Sequence, residues 1–122
     1  MPRANEDEAR EKRIIDEIIV DAYNEEERAL AWYYYLEEKV SFPFKARCVS
    51  ERRTSPLAVG EEVNVLGMAP EDDCFREMFV MIEWHGRSLG VPLSQLKPID
   101  VDDETRMAIE DWHYWVEMGY EF

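Results

Sequence analysis

Nine carboxylates in three short runs are the residues of this chain best placed to do chemistry. Glu37 and Glu38 are adjacent, Glu71, Asp72 and Asp73 are consecutive, and Asp100, Asp102, Asp103 and Glu104 fill four of five positions. Carboxylate oxygens are the donors that hard divalent cations prefer, and calcium accepts about six to eight of them in flexible geometry, so ligands need not be contiguous. Packed like charges repel at short range, which a bound cation relieves. Two of the runs also have a plain explanation. Carboxylates around Asp103 suit the first turn of a helix, where the dipole favours negative charge without any ion. Glu71 to Asp73 suit a solvated loop tip that keeps a neighbouring strand from pairing. Glu37 and Glu38 have no such explanation. They fall where a helix should end, negative charge there opposes the dipole, and only Lys39 offsets it locally. Local rules tend to fail at functional sites. The expectation is that Glu37 or Glu38 meets one of the acidic loops in space and forms an oxygen-rich pocket for a divalent cation.

Other chemistries fit less well. Oxygens at positions 100, 102 and 104 imitate the start of an EF-hand loop, with Asp111 at its twelfth place. The sixth place is Thr105 rather than Gly, and the stretch from Glu104 to Asp111 reads as helix. Cys48, Cys74, His85 and His113 lack the short spacings of a zinc site, and Cys48 and His113 read as core residues. No Gly-rich phosphate or oxyanion loop accompanies Cys74 and His85, so nucleophilic catalysis is unsupported. Paired carboxylates of a glycosidase would need a cleft that a chain of 122 residues gives no sign of. The chain therefore reads as a binding protein and not as an enzyme.

The elements that must hold these residues are legible as changes of period. Residues 1–5 read as a frayed tail. Residues 6 to about 22 read as a helix with Ile14, Ile15, Ile18 and Ile19 on one face. Asn24 with Glu27 three residues on is a capping-box variant, and a second helix follows to about residue 38. Its four adjacent aromatics, Trp32, Tyr33, Tyr34 and Tyr35, surround much of the helix and read first as core or interface. Pro43 bars further helix and favours an extended Phe42. Phe44, Ala46 and Cys48 then alternate with Lys45 and Arg47 as on a half-buried strand. Residues 52–60 read as a loop and residues 62–66 as a strand ending at Gly67. Residues 69–73 form an acidic loop, and 78–84 a long strand rich in β-formers. His85-Gly86 reads as a tight hairpin turn into a strand over 89–92. One helical turn over 93–96 and a short strand over 97–99 complete a small SH3-like antiparallel barrel. Asp102 or Asp103 caps a last helix to about residue 118, with Ala108, Trp112, Trp115 and Val116 facing the core and Gly119 as its stop.

Charge sets the remaining bounds. The chain carries 28 acidic and 14 basic residues, a net of −14. The excess is concentrated at the two ends: residues 1–40 carry −6 and residues 100–122 carry −7, while 41–70 carry +1. That balance disfavours nucleic acid and anionic membrane surfaces. The absence of an apolar run near ~20 residues disfavours a membrane span. The start of the chain lacks the apolar stretch of a secretion signal, so the cytoplasm is the expected location. The length fits a single domain over residues 1–122.

Three stretches together resemble a known family. Ile19-Val20-Asp21-Ala22-Tyr23-Asn24-Glu25-Glu26-Glu27-Arg28-Ala29 is followed by Trp32-Tyr33-Tyr34-Tyr35-Leu36-Glu37-Glu38-Lys39 and Phe42-Pro43-Phe44-Lys45-Ala46. With Trp84, Arg87 and Val91-Pro92-Leu93-Ser94-Gln95-Leu96, they are similar to the small calcium-binding protein family typified by cyanobacterial CcbP. The resemblance covers roughly residues 13–122. It implies an acidic cytoplasmic protein that binds calcium by surface carboxylates, without EF-hands, and buffers it. In the best-known members that role belongs to heterocyst differentiation. It also implies an Asp at the end of the aromatic helix, where this chain has Glu38, a carboxylate on a longer arm.

The expectation is thus an α+β protein with two N-terminal helices, an SH3-like barrel and a C-terminal helix. Calcium ions are the expected ligand, held by carboxylates among Glu37, Glu38, Glu71, Asp72, Asp73, Asp100, Asp102, Asp103 and Glu104. The expected state is a monomer acting as buffer or sensor. The alternative is an acidic protein-interaction module, whose barrel holds a peptide and whose charge steers a basic protein partner.

Overall fold

Asn24 sets the frame of the longest N-terminal element. In the computed structural model, which describes residues 7–53 and 55–119, its side-chain oxygen accepts from the backbone N–H of Glu27 at 2.8 Å. The Glu27 carboxylate reaches back to the N–H of Tyr23 at 2.9 Å, one residue earlier than in the usual reciprocal cap. Helix α2 follows over Glu25–Lys39. The first helix is shorter than its pattern suggested. Helix α1 spans Glu8–Arg13, capped by Asp7, and passes into a π-helical turn over Ile14–Ile18 that ends well short of residue 22. The run of β-branched side chains at 14, 15, 18, 19 and 20 is crowded in a regular helix. Ile14 and Ile18 are buried, whereas Ile15 is 48% exposed, so the four isoleucines do not share one core face. The expected tail over residues 1–5 lies outside the described residues.

The strands are β1 Phe44–Cys48, β2 Glu62–Met68, β3 Phe79–Trp84, β4 Arg87–Pro92 and β5 Leu96–Ile99. They form one antiparallel sheet in the order β4-β3-β2-β1-β5. The first four make a meander and the fifth returns to β1, the strand order of an SH3-like barrel. β2 runs on through Gly67 to Met68 because a bulge between Val65 and Gly67 lets it stay paired with β3. His85 and Gly86 both have positive φ, 50° and 81°, as a two-residue turn between twisted strands requires. The acidic loop after β2 is partly ordered: Glu71–Cys74 form a 3-10 turn. A second 3-10 turn, Leu93–Gln95, links β4 to β5. Helix α3, Asp103–Glu117, ends at Gly119 with φ 77°. Among the described residues no helix is long and apolar enough to cross a membrane.

Alternation delivers Phe44, Ala46, Cys48, Val63, Val65, Val80, Ile82, Val91 and Leu96 to the interior. The helices close it with aromatic rings. Trp32 of α2 lies 5.1 Å from Trp112 and 5.7 Å from Trp115, centroid to centroid. Ala108, Trp112 and Trp115 face the core as their spacing predicts, but Val116 is 36% exposed, while Ile109, two turns before it on the same face, is buried.

His113 ties α3 to the barrel, with its Nε2 2.8 Å from the carbonyl oxygen of Leu96. Burial holds its pKa below the ordinary 6.5, although the Leu96 bond works the other way. The folded imidazole therefore takes up a proton less readily than the unfolded one. Its contribution to stability is complete above pH 6.5 and is lost as pH falls from there toward the folded value. The melting temperature should drop between pH 6.5 and 5.5, and His113→Gln should flatten that slope. Equal slopes in the two proteins would refute the assignment.

Candidate metal site

The last two turns of α2 and the 3-10 turn after β2 meet around a pair of tyrosines. The Tyr34 hydroxyl donates to Glu71 Oε2 at 2.8 Å, and the Tyr33 hydroxyl donates to the carbonyl oxygen of Ala69 at 2.7 Å. Residues four apart share a helix face, so Glu37 stands one turn above Tyr33 and Glu38 one turn above Tyr34. The charges of Glu37 and Glu71 are felt by both phenols. Tyr33 is pushed up first by burial, then by Glu37, Cys74 and Glu71. Tyr34 is raised first by its hydrogen bond to Glu71, then by desolvation and the charges of Glu71 and Glu37. Glu37 and Glu71, distant in sequence, thus border the same tyrosine pair. Asp72 and Asp73 are exposed on the same turn.

The carboxylates at the start of α3 are more committed. Asp102 is the cap of that helix, accepting from the Thr105 N–H at 2.7 Å. Its other oxygen lies 3.3 Å from the Ser41 hydroxyl. The Thr105 backbone bond is the main cause of its lowered pKa. Asp103 holds Arg106, and Glu104 lies 3.9 Å from Lys39 Nζ at the end of α2. Asp100 differs. It adopts a positive φ of 52° between β5 and α3, a conformation Asp and Asn tolerate better than other non-glycine residues. It lines an open groove of about 440 Å³ together with Lys45, Asp102 and Thr105.

The nine predicted residues therefore separate into two neighbourhoods. Glu37, Glu38 and Glu71 to Asp73 flank one side of the end of α2, and Asp100 to Glu104 the other. Among the described residues, no three acidic, histidine or cysteine side chains are gathered closely enough to hold a metal ion unaided. The donors are chemically right for calcium, all hard oxygens. Filling its coordination sphere would draw on backbone carbonyls and water besides.

Sequence reasoning missed two partners. Tyr34 was legible only as part of an aromatic stripe, with nothing to show that its hydroxyl would engage Glu71. Asp111 is fully buried, held by Arg13, by Tyr35 Oη at 2.9 Å and by Arg10 Nε at 3.5 Å. A signal existed for it: position 111 falls on the same helical face as Ala108, Trp112 and Trp115, so an acid there had to be buried and matched.

A model of the CcbP family, described as Calcium binding, matches residues 12–116. No curated protein matches. The crystal structure of Anabaena CcbP is similar at a TM-score of 0.87 and 45% identity, covering 100% of each chain. A structure described as a calcium binding protein in the calcium-binding form is similar at a TM-score of 0.85 and 44% identity, again covering 100% of each chain.

Proposed function

The chain belongs to the CcbP calcium-binding family, and on that premise we propose that it binds calcium as a cytoplasmic buffer or sensor and is not an enzyme. The match across residues 12–116 carries the reading, because it spans the end of α2 and both acidic loops. One site takes Glu37 and Glu71 as its nucleus, with Glu38, Asp72 and Asp73 within the same neighbourhood. A second takes Asp100 as its nucleus, beside Asp102, Asp103 and Glu104. The commitment of the last three to Thr105, Arg106 and Lys39 favours the first site as the tighter one. When bound, calcium supplies positive charge that neutralises the clustered carboxylates, and the protein supplies oxygens that replace part of its hydration shell. The single domain over residues 1–122 and the monomeric state belong to the same proposal.

Calorimetric titration with calcium, at physiological ionic strength and with magnesium in excess, tests it. Heat should be seen and should saturate. A ligand that binds only the folded chain stabilises it by about 2.7 kcal/mol at a hundredfold excess over its dissociation constant. For a chain of this size that corresponds to a rise of about 10 °C in melting temperature. The absence of both heat and thermal shift would sink the proposal.

A further inference from the structure

The chain has twice as many acids as bases, yet two of its lysines, Lys45 and Lys97, sit on one sheet face with no carboxylate at ion-pair distance among the described residues, although the charge of Lys45 is felt by Glu62. Lys45 and Arg47 project outward from β1, alternating with buried Phe44, Ala46 and Cys48. Lys97 projects outward from β5 directly opposite Arg47. Like charges opposite each other across strands destabilise a sheet. Arg47 is offset by Glu62 at 2.9 Å, an exposed pair, and Lys45 faces Asn64 across β2. Among the described residues neither Lys45 nor Lys97 forms an ion pair. Lys97 beside Pro98 could by itself be a guard on an edge strand. Lys45 and Arg47 cannot be explained that way, because β1 is paired on both sides. Leu66, 45% exposed on β2, adds apolar area two residues beyond Asn64.

We propose that this outer face of β1, β2 and β5 docks an extended acidic segment of a partner protein, and that calcium loading permits it. The inference rests on the calcium reading above. Charges two residues apart on a strand are about 7 Å apart, so acids at alternate positions of an extended segment match Lys45 and Arg47. Lys97 lies about 5 Å across from Arg47 and meets a further carboxylate. A net charge of −14 repels any acidic partner at long range. Calcium bound between Glu37 and Glu71 removes two of those negative charges on the side of α2 away from the Asp100 groove that Lys45 borders. Three cations are too few for the counterion release that drives nucleic-acid binding.

The test uses a fluorescein-labelled peptide of alternating Glu and Ser residues, followed by anisotropy in the calcium-loaded and the chelated protein. Calcium loading should tighten binding about tenfold, and the triple variant Lys45→Gln, Arg47→Gln, Lys97→Gln should lose that gain, as expected for charge-steered docking. Arg87→Gln, which removes an exposed cation from β4, should leave binding unchanged. Peptide binding that persists in the triple variant would mean calcium bridging carboxylates and would overturn the proposal, as would binding equal with and without calcium. Tighter binding of a single-stranded oligonucleotide of equal charge would also overturn it. Calorimetry on the same samples separates the two readings. Calcium heat without peptide binding removes this inference alone, and no calcium heat removes the function it rests on.

Discussion

Asp111→Asn should destabilise the protein by about 3 kcal/mol, the low end of the cost of breaking a buried ion pair. The carboxylate is fully buried in α3, at the seam where α1, the π-helical turn and α2 converge. Arg13 and Arg10 reach it from the first segment, and Tyr35 donates to it from α2. Burial pushes its pKa up, while the Tyr35 and Arg13 hydrogen bonds pull the other way. Asn keeps the shape and can still accept from Tyr35, but it leaves the Arg13 guanidinium without its counter-charge. The arginine side chains retain 23% and 25% exposure, which lets water soften the loss and places it at the low end of the range. Urea unfolding of both proteins measures it. Arg13→Met combined with Asp111→Leu should recover much of the loss, since well-packed apolar replacements of a buried pair are often neutral. A loss under about 1 kcal/mol, the size expected of an exposed pair, would mean that the cluster contributes no more than a surface contact.

The largest functional effect is expected from Glu37→Gln with Glu71→Gln. Both bracket the Tyr33–Tyr34 pair, and calcium affinity follows the charge count of the ligand set, so the double variant should weaken binding on the order of a hundredfold. The comparison variant is Asp103→Asn with Glu104→Gln. Those carboxylates are held by Arg106 and Lys39, and their loss should cost about tenfold or less by the same reasoning. Calorimetry ranks the two. If the α3 pair proves the more damaging, the tighter site lies at the start of α3 and the assignment is reversed.

Much of this fold was legible because its signals are local. Asn24 needed only Glu27 to be read as a cap, His85-Gly86 only its flanking strands, and β1 only the alternation of Phe44 to Cys48. The failures have a common physical cause. Ile15 and Val116 carry the right residue type and spacing for the core, but which side of a helix is buried depends on what lies across from it. Ile15 lies within the π-helical turn, whose period is not that of a regular helix, and Val116 stands exposed in the last turn of α3, although Ile109 on the same face is buried. The site divides in the same way. That Glu37 and Glu38 lacked a local reason was readable from the helix end alone. That Glu71 engages the same tyrosine pair depended on a tyrosine 37 positions before it. The partners of Asp111 lie 76 and 98 positions away, beyond any window over which periodicity speaks.

Asp102 carries a consequence for how the fold tolerates change at its acids. Its two oxygens are spent on Thr105 and Ser41, so it staples the end of α2 to the start of α3. Asp111 and Glu77 are likewise spent on arginines. Glu37, Glu38, Asp72, Asp73 and Asp100 are exposed and join no such contact among the described residues. Structural metal sites make folding itself depend on the metal. Here the helix junctions are held by protein groups, so replacing one of the open carboxylates leaves the contacts that join the elements in place.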